Sequence, residues 1–337
     1  MNKQTILLPA KLTWQDTTPV SASFEDFYFS TDDGLNESRY VFLKPNHLPK
    51  RFTEGSLSEP FIVAETGFGT GLNFLITWQA WQQETQPKRP LHFFSIEKYP
   101  LRREDLSKAL ANWPELNQFI KPLIEHYPPI VAGLQTLDFE AGNVRLSLLF
   151  GDITTDLSSL HFKADAWYLD GFAPKKNPEM WTDSFFNAIA QKSKCGTTFS
   201  TFTSASMVRK CLASANFTVY KQEGFGKKRE MVFGHFSPPE TATASQSLKK
   251  ALWSLPEPAD ETKTSHKLPD FDVAIIGAGL SGLATAHELA QQGLSVCLIE
   301  EKSGAAKGAS GQTQLAMYAK LPSEANKLFN FTIHTLT

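Results

Sequence analysis

Two glycine-rich turns and a scatter of acidic residues are the parts of this chain whose spacing could do chemistry. The first turn is Glu65-Thr66-Gly67-Phe68-Gly69-Thr70-Gly71, between an apolar run at 61–64 and the helical pattern Leu72–Gln83. A strand, a glycine turn and a helix aim backbone N–H groups and a helix N-terminus at a ligand. Glycine serves where φ is positive or where the ligand touches the backbone. The spacing is G-x-G-x-G after an acid, which differs from the dinucleotide pattern G-x-G-x-x-G. Glu65 would repel a pyrophosphate and suits a cation. S-adenosylmethionine carries an ammonium and a sulfonium and no phosphate, so it fits; a plain tight turn is the bland alternative. Glu97 closes the run at 91–96, where a carboxylate can accept ribose hydroxyls. Asp152 follows Val144–Phe150, where it could accept from an adenine amino group. Singly, each reads as an exposed loop acid; together they mark the strand-end edge where open α/β sheets bind ligands.

A third strand end carries Asp170-Gly171-Phe172-Ala173-Pro174, after the run at 166–169. A carboxylate there can align a neutral amine and hold its charge as it becomes cationic. An ordinary Asp-Gly turn is the alternative. Between 209 and 230 the positive residues are Arg209, Lys210, Lys221, Lys227, Lys228 and Arg229, against Glu223 and Glu230. Here Gly224-Phe225-Gly226 reads as a loop whose Lys227, Lys228 and Arg229 could meet phosphates while Phe225 stacks on an unpaired base. A solvated hairpin tip explains the same residues. Lys175 and Lys176 could extend the patch.

The second glycine turn is Gly277-Ala278-Gly279-Leu280-Ser281-Gly282, between strand-like 272–276 and helix-like 283–292. Its G-x-G-x-x-G spacing, with Glu300 at the end of the next strand and 23 residues after Gly277, is a dinucleotide fingerprint. Glu300 would take a ribose hydroxyl. NAD and FAD both satisfy it; the stretch at 304–311 leans toward FAD enzymes of the amino-acid oxidase type.

The elements that must position these groups alternate. Strand-like runs fall at 61–64, 91–96, Val144–Phe150, 166–169, 197–202, 217–221 and 231–236, with helix-length segments such as Leu72–Gln83 and 206–215 between them. That order predicts an α/β, doubly wound, mostly parallel sheet. The last two runs are too close for a crossover helix, so they should form a terminal antiparallel hairpin. Five prolines, from Pro238 to Pro269, mark an interdomain linker with a short helix at 245–255.

Four stretches carry a family resemblance: Phe24-Glu25-Asp26-Phe27-Tyr28-Phe29-Ser30, Ala64 through Phe74, Asp165 through Trp181, and Gly224 through Met231. The chain resembles the bacterial bifunctional tRNA 5-methylaminomethyl-2-thiouridine biosynthesis proteins. The resemblance implies a class I methyltransferase domain at 1–236, a linker at 237–270, and the start of a Rossmann-type FAD-dependent oxidoreductase domain at 271–337. It implies that the first domain methylates the aminomethyl nitrogen of a wobble uridine in a tRNA anticodon loop, after the second removes a carboxymethyl group. It places the S-adenosylmethionine site at Glu65, Gly67, Gly69, Gly71, Glu97 and Asp152, and the substrate-side acid at Asp170. Leu315 and Ala319 depart from the family's Gly and Pro. The 67 residues from 271 hold one βαβ start and no substrate domain. The expectation is therefore an oxidoreductase half without stoichiometric flavin, unless a separate polypeptide completes it, and with an aggregation-prone sheet edge. Two rivals stay open: a tRNA-binding remnant without catalysis, and a flavin or nicotinamide oxidoreductase. Within the methyltransferase reading, a small-molecule amine is the other acceptor.

Composition narrows the class. The 337 residues are 41% hydrophobic and 20% charged, with a net charge of -2. A core is affordable, and bulk attraction to nucleic acid is excluded though a local patch is not. Cys195, Cys211 and Cys297 form no disulfide or zinc pattern, and no eighteen-residue apolar stretch occurs. The expected setting is a reducing cytoplasm, with no membrane and no metal.

Overall fold

The computed structural model describes residues 7–226, 228–238 and 271–308, which fall into two units. In the first unit, β1 (Leu12–Gln15), β2 (Thr18–Ser21) and β3 (Asp26–Phe27) form a small antiparallel sheet. The short helix α1 (Gly34–Ser38) follows, and then an eight-stranded sheet is built from β4 (Phe61–Glu65), β5 (Leu91–Glu97), β6 (Gly133–Phe139), β7 (Val144–Phe150), β8 (Ala164–Tyr168), β9 (Ser193–Thr201), β10 (Phe217–Glu223) and β11 (Glu230–Phe236). Their order is β10-β11-β9-β8-β4-β5-β7-β6. The central strands β7, β5, β4, β8 and β9 are parallel, whereas β11 runs antiparallel to both β9 and β10.

Sequence explains the central strands directly. Phe61-Ile62-Val63-Ala64 and Ala164-Asp165-Ala166-Trp167-Tyr168 are near-continuous apolar runs, as strands covered on both faces must be. One face carries α2 (Leu72–Gln83), α3 (Arg103–Leu110) and α4 (Asn117–His126), packed through Phe74, Leu106 and Phe119. The other carries α5 (Ile153–Asp156), α6 (Asp183–Gln191) and α7 (Ser206–Ser214), packed through Phe186, Ile189 and Leu212. Helix α2 is buried nearly all round, which places it inside the layer rather than upon it.

The predicted doubly wound sheet and its closing hairpin are both present. Within the hairpin the last strand, β11, lies between β9 and β10. One thing differs: strand β6, which the sequence reading passes over, pairs antiparallel with β7 at the far edge. Its sequence GLQTLDF alternates exposed and covered positions, so it lacks the apolar run that marks its neighbours. Strand order reverses between β5-β4 and β8-β9, which puts a crevice at the carboxyl ends of β4 and β8.

In the second unit, β12 (Val273–Ile276), α8 (Leu280–Gln291) and β13 (Val296–Ile299) make one parallel βαβ element. The helix starts three residues before its predicted start at 283, immediately after Gly279. The predicted helix at 245–255, positions 315 and 319, and almost all of the predicted linker lie outside the described residues.

Candidate active site

The crevice is a cleft of ≈ 1100 Å³ at the carboxyl edge of the sheet. One wall is the turn after β4. Gly69 (φ 52°) and Gly71 (φ 71°) sit in the left-handed region, and a Cβ on Gly71 would lie 2.7 Å from the Phe68 ring, so both positions demand glycine. Gly67, Gly69, Glu97 and Asp152 line the cleft. Glu97 braces the turn: one carboxylate oxygen accepts the Gly69 N–H at 2.9 Å and the other the Tyr99 N–H at 2.7 Å. Burial pushes its carboxyl up, against those backbone hydrogen bonds. Asp152 caps α5 by accepting the Thr154 N–H and pairs with Lys98 Nζ at 2.7 Å. Burial raises its carboxyl, but the Lys98 and Thr154 hydrogen bonds outweigh it and hold Asp152 below the usual range.

Glu65 corrects an expectation. It is 1% exposed and does not line the cleft. Its carboxylate accepts from Asn73 Nδ2 at 2.9 Å and Ser95 Oγ at 2.7 Å. Burial, then the nearby Asp170 charge, push it well above the ordinary carboxylate range. A continuous apolar strand carries it into the interior, behind the glycine turn. Gly71 likewise shapes the turn from outside the lining.

Asp170 lines the same cleft, beside the glycine turn. One carboxylate oxygen accepts the Gly171 N–H at 2.8 Å, the other Asn73 Nδ2 at 2.7 Å. Thr66 Oγ1 donates to the Asp170 carbonyl at 2.6 Å and so ties the β8 end to the glycine turn. Burial pushes the Asp170 carboxyl up to about 6, while Gly171, Asn73 and the Lys228 charge pull it down. Above the cleft, Phe24 stacks on Phe172 at 4.5 Å and Tyr28 meets Phe172 edge-on at 5.3 Å. Asp26 accepts the Ala173 N–H at 3.1 Å, so the N-terminal segment straps the Asp170 loop.

The hairpin tip departs from its sequence reading. Lys228 turns into the cleft, pairs with Glu37 at 2.8 Å and lies 4.5 Å above the Phe202 ring. Phe225 packs on Tyr40 at 5.7 Å rather than standing free for a base, because Tyr40 also fixes the hairpin by donating to the Glu223 carbonyl. Lys176 is paired with Asp26 at 3.3 Å. Arg229 is exposed, and Lys227 lies outside the described residues.

Sequence reasoning missed Asn73, Glu37 and Tyr28. Asn73 leaves a signal: one amide in the buried apolar stretch LNFLITW. Glu37 leaves none, since the cleft borrows it from a distant segment.

In the second unit, Gly277 has φ 99°, and a Cβ on Gly282 would fall 1.9 Å from the Gly277 carbonyl oxygen. Gly279 precedes α8 as its cap. Glu300 accepts the Ala278 N–H at 2.6 Å and the Lys302 N–H at 3.0 Å, and these bonds hold its carboxyl below the ordinary range. The residues of the fingerprint thus stand together at one strand–turn–helix junction, with Glu300 against the turn. Among the described residues no group of three or more potential metal ligands occurs, and no helix is long and apolar enough to cross a membrane.

Comparison with known proteins places both units. A family profile described as S-adenosyl-L-methionine-dependent methyltransferase matches residues 114–237, and one described as FAD dependent oxidoreductase matches 272–335. The chain is 44% identical, over 94% of its length and 48% of the relative's, to the tRNA 5-methylaminomethyl-2-thiouridine biosynthesis bifunctional protein MnmC of Marinobacter nauticus. It is 45% identical to the MnmC of Aeromonas hydrophila, over 97% of this chain and 48% of that one. The crystal structure of MnmC2 from Aquifex aeolicus shares the fold, with a TM-score of 0.53 and 24% identity over 69% of this chain and 72% of that one. The chain spans about half the length of the curated relatives it matches. With a class I methyltransferase fold followed by the opening βαβ of an FAD-type domain, and this identity across nearly its whole length, the chain belongs to the MnmC family.

Proposed function

We propose that residues 1–236 transfer a methyl group from S-adenosylmethionine to the aminomethyl nitrogen of 5-aminomethyl-2-thiouridine at the tRNA wobble position. The observation that carries this is a single cleft lined both by the glycine cradle and by the Asp170 carboxylate beside it. The residues fit the donor: a backbone turn and strand-end carboxylates, Glu97 and Asp152, with Glu65 and Gly71 supporting them from behind. When bound, S-adenosylmethionine supplies a methyl group on a cationic sulfur. The chain aligns the acceptor and excludes water. The Asp170 carboxylate accepts an N–H of the amine and so aims its lone pair; as that pair forms the N–C bond the C–S bond would break with its electrons on sulfur, and Asp170 takes up the proton the amine releases. Calorimetry with S-adenosylmethionine tests the first half of this reading; saturable one-to-one binding is expected, and an empty cleft would end it. Labelled methyl transfer to tRNA lacking the modification tests the second half, and labelling of free small amines instead would move the acceptor class.

We divide the chain into this domain, a linker at 237–270, and an FAD-type segment at 271–337, where Gly277, Gly279, Gly282 and Glu300 would hold the dinucleotide. The tRNA anticodon loop is the partner, and the cytoplasm is where such a substrate resides. Arg229 and Lys227 are the phosphate-facing candidates that remain at the hairpin. Replacing both with Ala should weaken tRNA binding and lower the slope of log affinity against log salt by roughly 1–2. An unchanged slope in a salt titration would remove the hairpin from the RNA surface.

A further inference from the structure

We propose that Asn73 is the positioning residue of this site: its one amide NH₂ holds the Asp170 carboxylate toward the acceptor while the same nitrogen is anchored on Glu65. The inference rests on the methyltransferase reading and goes further, because it gives Glu65 a task other than facing the donor. Asn73 is the second residue of α2, 6% exposed and part of the cleft wall. Its Nδ2 lies 2.9 Å from Glu65 Oε1 and 2.7 Å from Asp170 Oδ2. An amide nitrogen has two hydrogens, and both are committed.

The oxygen of the same amide shows how firmly this orientation is held. Asn73 Oδ1 is buried and has no hydrogen-bond partner, a situation that ordinarily costs free energy. Flipping the amide would aim that oxygen at two carboxyl groups, which is worse unless one is protonated. The two acids therefore set the amide, and the amide sets Asp170. Gly171 N–H fixes the second Asp170 oxygen, so the carboxylate plane is defined from two sides. Ser95 holds the other Glu65 oxygen at 2.7 Å and so completes the anchor.

The consequence is a shift in Asp170 as well as a loss of aim. The groups that face it are Glu65 from β4, Glu37 from α1, Lys228 from the β10–β11 loop, and Asn73 from α2. Asn73 favours the ionised form, so its removal raises the Asp170 carboxyl. The acid limb of the rate profile then moves to higher pH.

The test compares the full chain with Asn73→Ala and with Asn73→Asp, which keeps the volume and removes the donor. For both variants, kcat on tRNA should fall ~10²-fold, with the S-adenosylmethionine Kd within about threefold of wild type and the acid limb displaced upward. An acid limb coincident with wild type, or a loss confined to the donor Kd, would overturn the proposal. A readout independent of turnover is the carbon NMR titration of the Asp170 carboxyl, which should move upward in both variants; an unmoved titration counts against the proposal too. Wild type that methylates no tRNA would sink the reading above, and the NMR titration would still decide the role of Asn73.

Discussion

Asp170→Asn should bind S-adenosylmethionine as wild type does and lose methyl transfer by at least ~10²-fold. The separation follows from the geometry. In the proposed reading the donor is held by the β4 turn, Glu97 and Asp152, whereas Asp170 stands on the loop after β8 and faces the acceptor. An amide cannot take the proton that leaves the amine, and its NH₂ would oppose that of Asn73 across 2.7 Å. Wild type should also lose activity as pH falls through about 6, where the Asp170 carboxyl, raised by burial, takes up its proton. The sign is fixed: the working form is the anion, so the loss lies on the acid side. Single-turnover transfer over a pH series, with calorimetry on the same preparations, measures both effects. Wild-type rates in the variant would take Asp170 out of the chemistry.

That acid was legible in the sequence, whereas the groups that tune it were not. A run of apolar residues ending in Asp-Gly announces a strand end, and strand ends in a doubly wound sheet converge on one edge. The same logic found Glu97 and Asp152. It failed at Glu65, because a carboxylate at a strand end can point along the cleft or back into the core, and the neighbours that decide this, Ser95 and Asn73, come from β5 and α2. Lys228 was legible only in part: it is exposed, as a solvated hairpin tip would be, but it also borders the cleft and pairs with Glu37 over the Phe202 ring, groups far away in the chain.

The elements divide in the same way. Strand β7 and helix α2 have the boundaries read from sequence, because burial on both sides leaves no room for ambiguous residues. Strand β9 begins earlier than read, at Ser193 rather than 197. Lys194, Cys195 and Gly196 are exposed, and the pairing with β8 shifts register there, so its opening residues carry no apolar signature. Strands β1, β2 and β3 are short, and β1 and β3 are partly exposed; their worth lies in strapping the Asp170 loop, which no local pattern encodes.

The largest effect on stability should come from the amino ends of the central strands. Asp165 opens β8 at 4% exposure, opposite the cleft. It accepts the Ile62 N–H at 2.9 Å, pairs with the buried Arg89 at 3.4 Å and with Lys194 at 2.7 Å. Arg89 in turn donates to the Pro60 carbonyl at 2.6 Å and packs 5.3 Å from the Phe61 ring. Asp165→Ala leaves a buried guanidinium without its counter-charge and a strand N–H without its acceptor, a change that typically costs ~3–5 kcal/mol. Lys194→Ala removes only the half-exposed partner, and such pairs contribute about 0–1 kcal/mol. Urea titrations of the three proteins should therefore show a large fall in midpoint for Asp165→Ala and almost none for Lys194→Ala. Methyl-donor affinity of the still-folded fraction should be unchanged, since Asp165 touches nothing in the cleft. Equal midpoints for the two variants would mean that the buried pair contributes no more than the surface one, and that the β4–β8 junction is held by its apolar contacts alone.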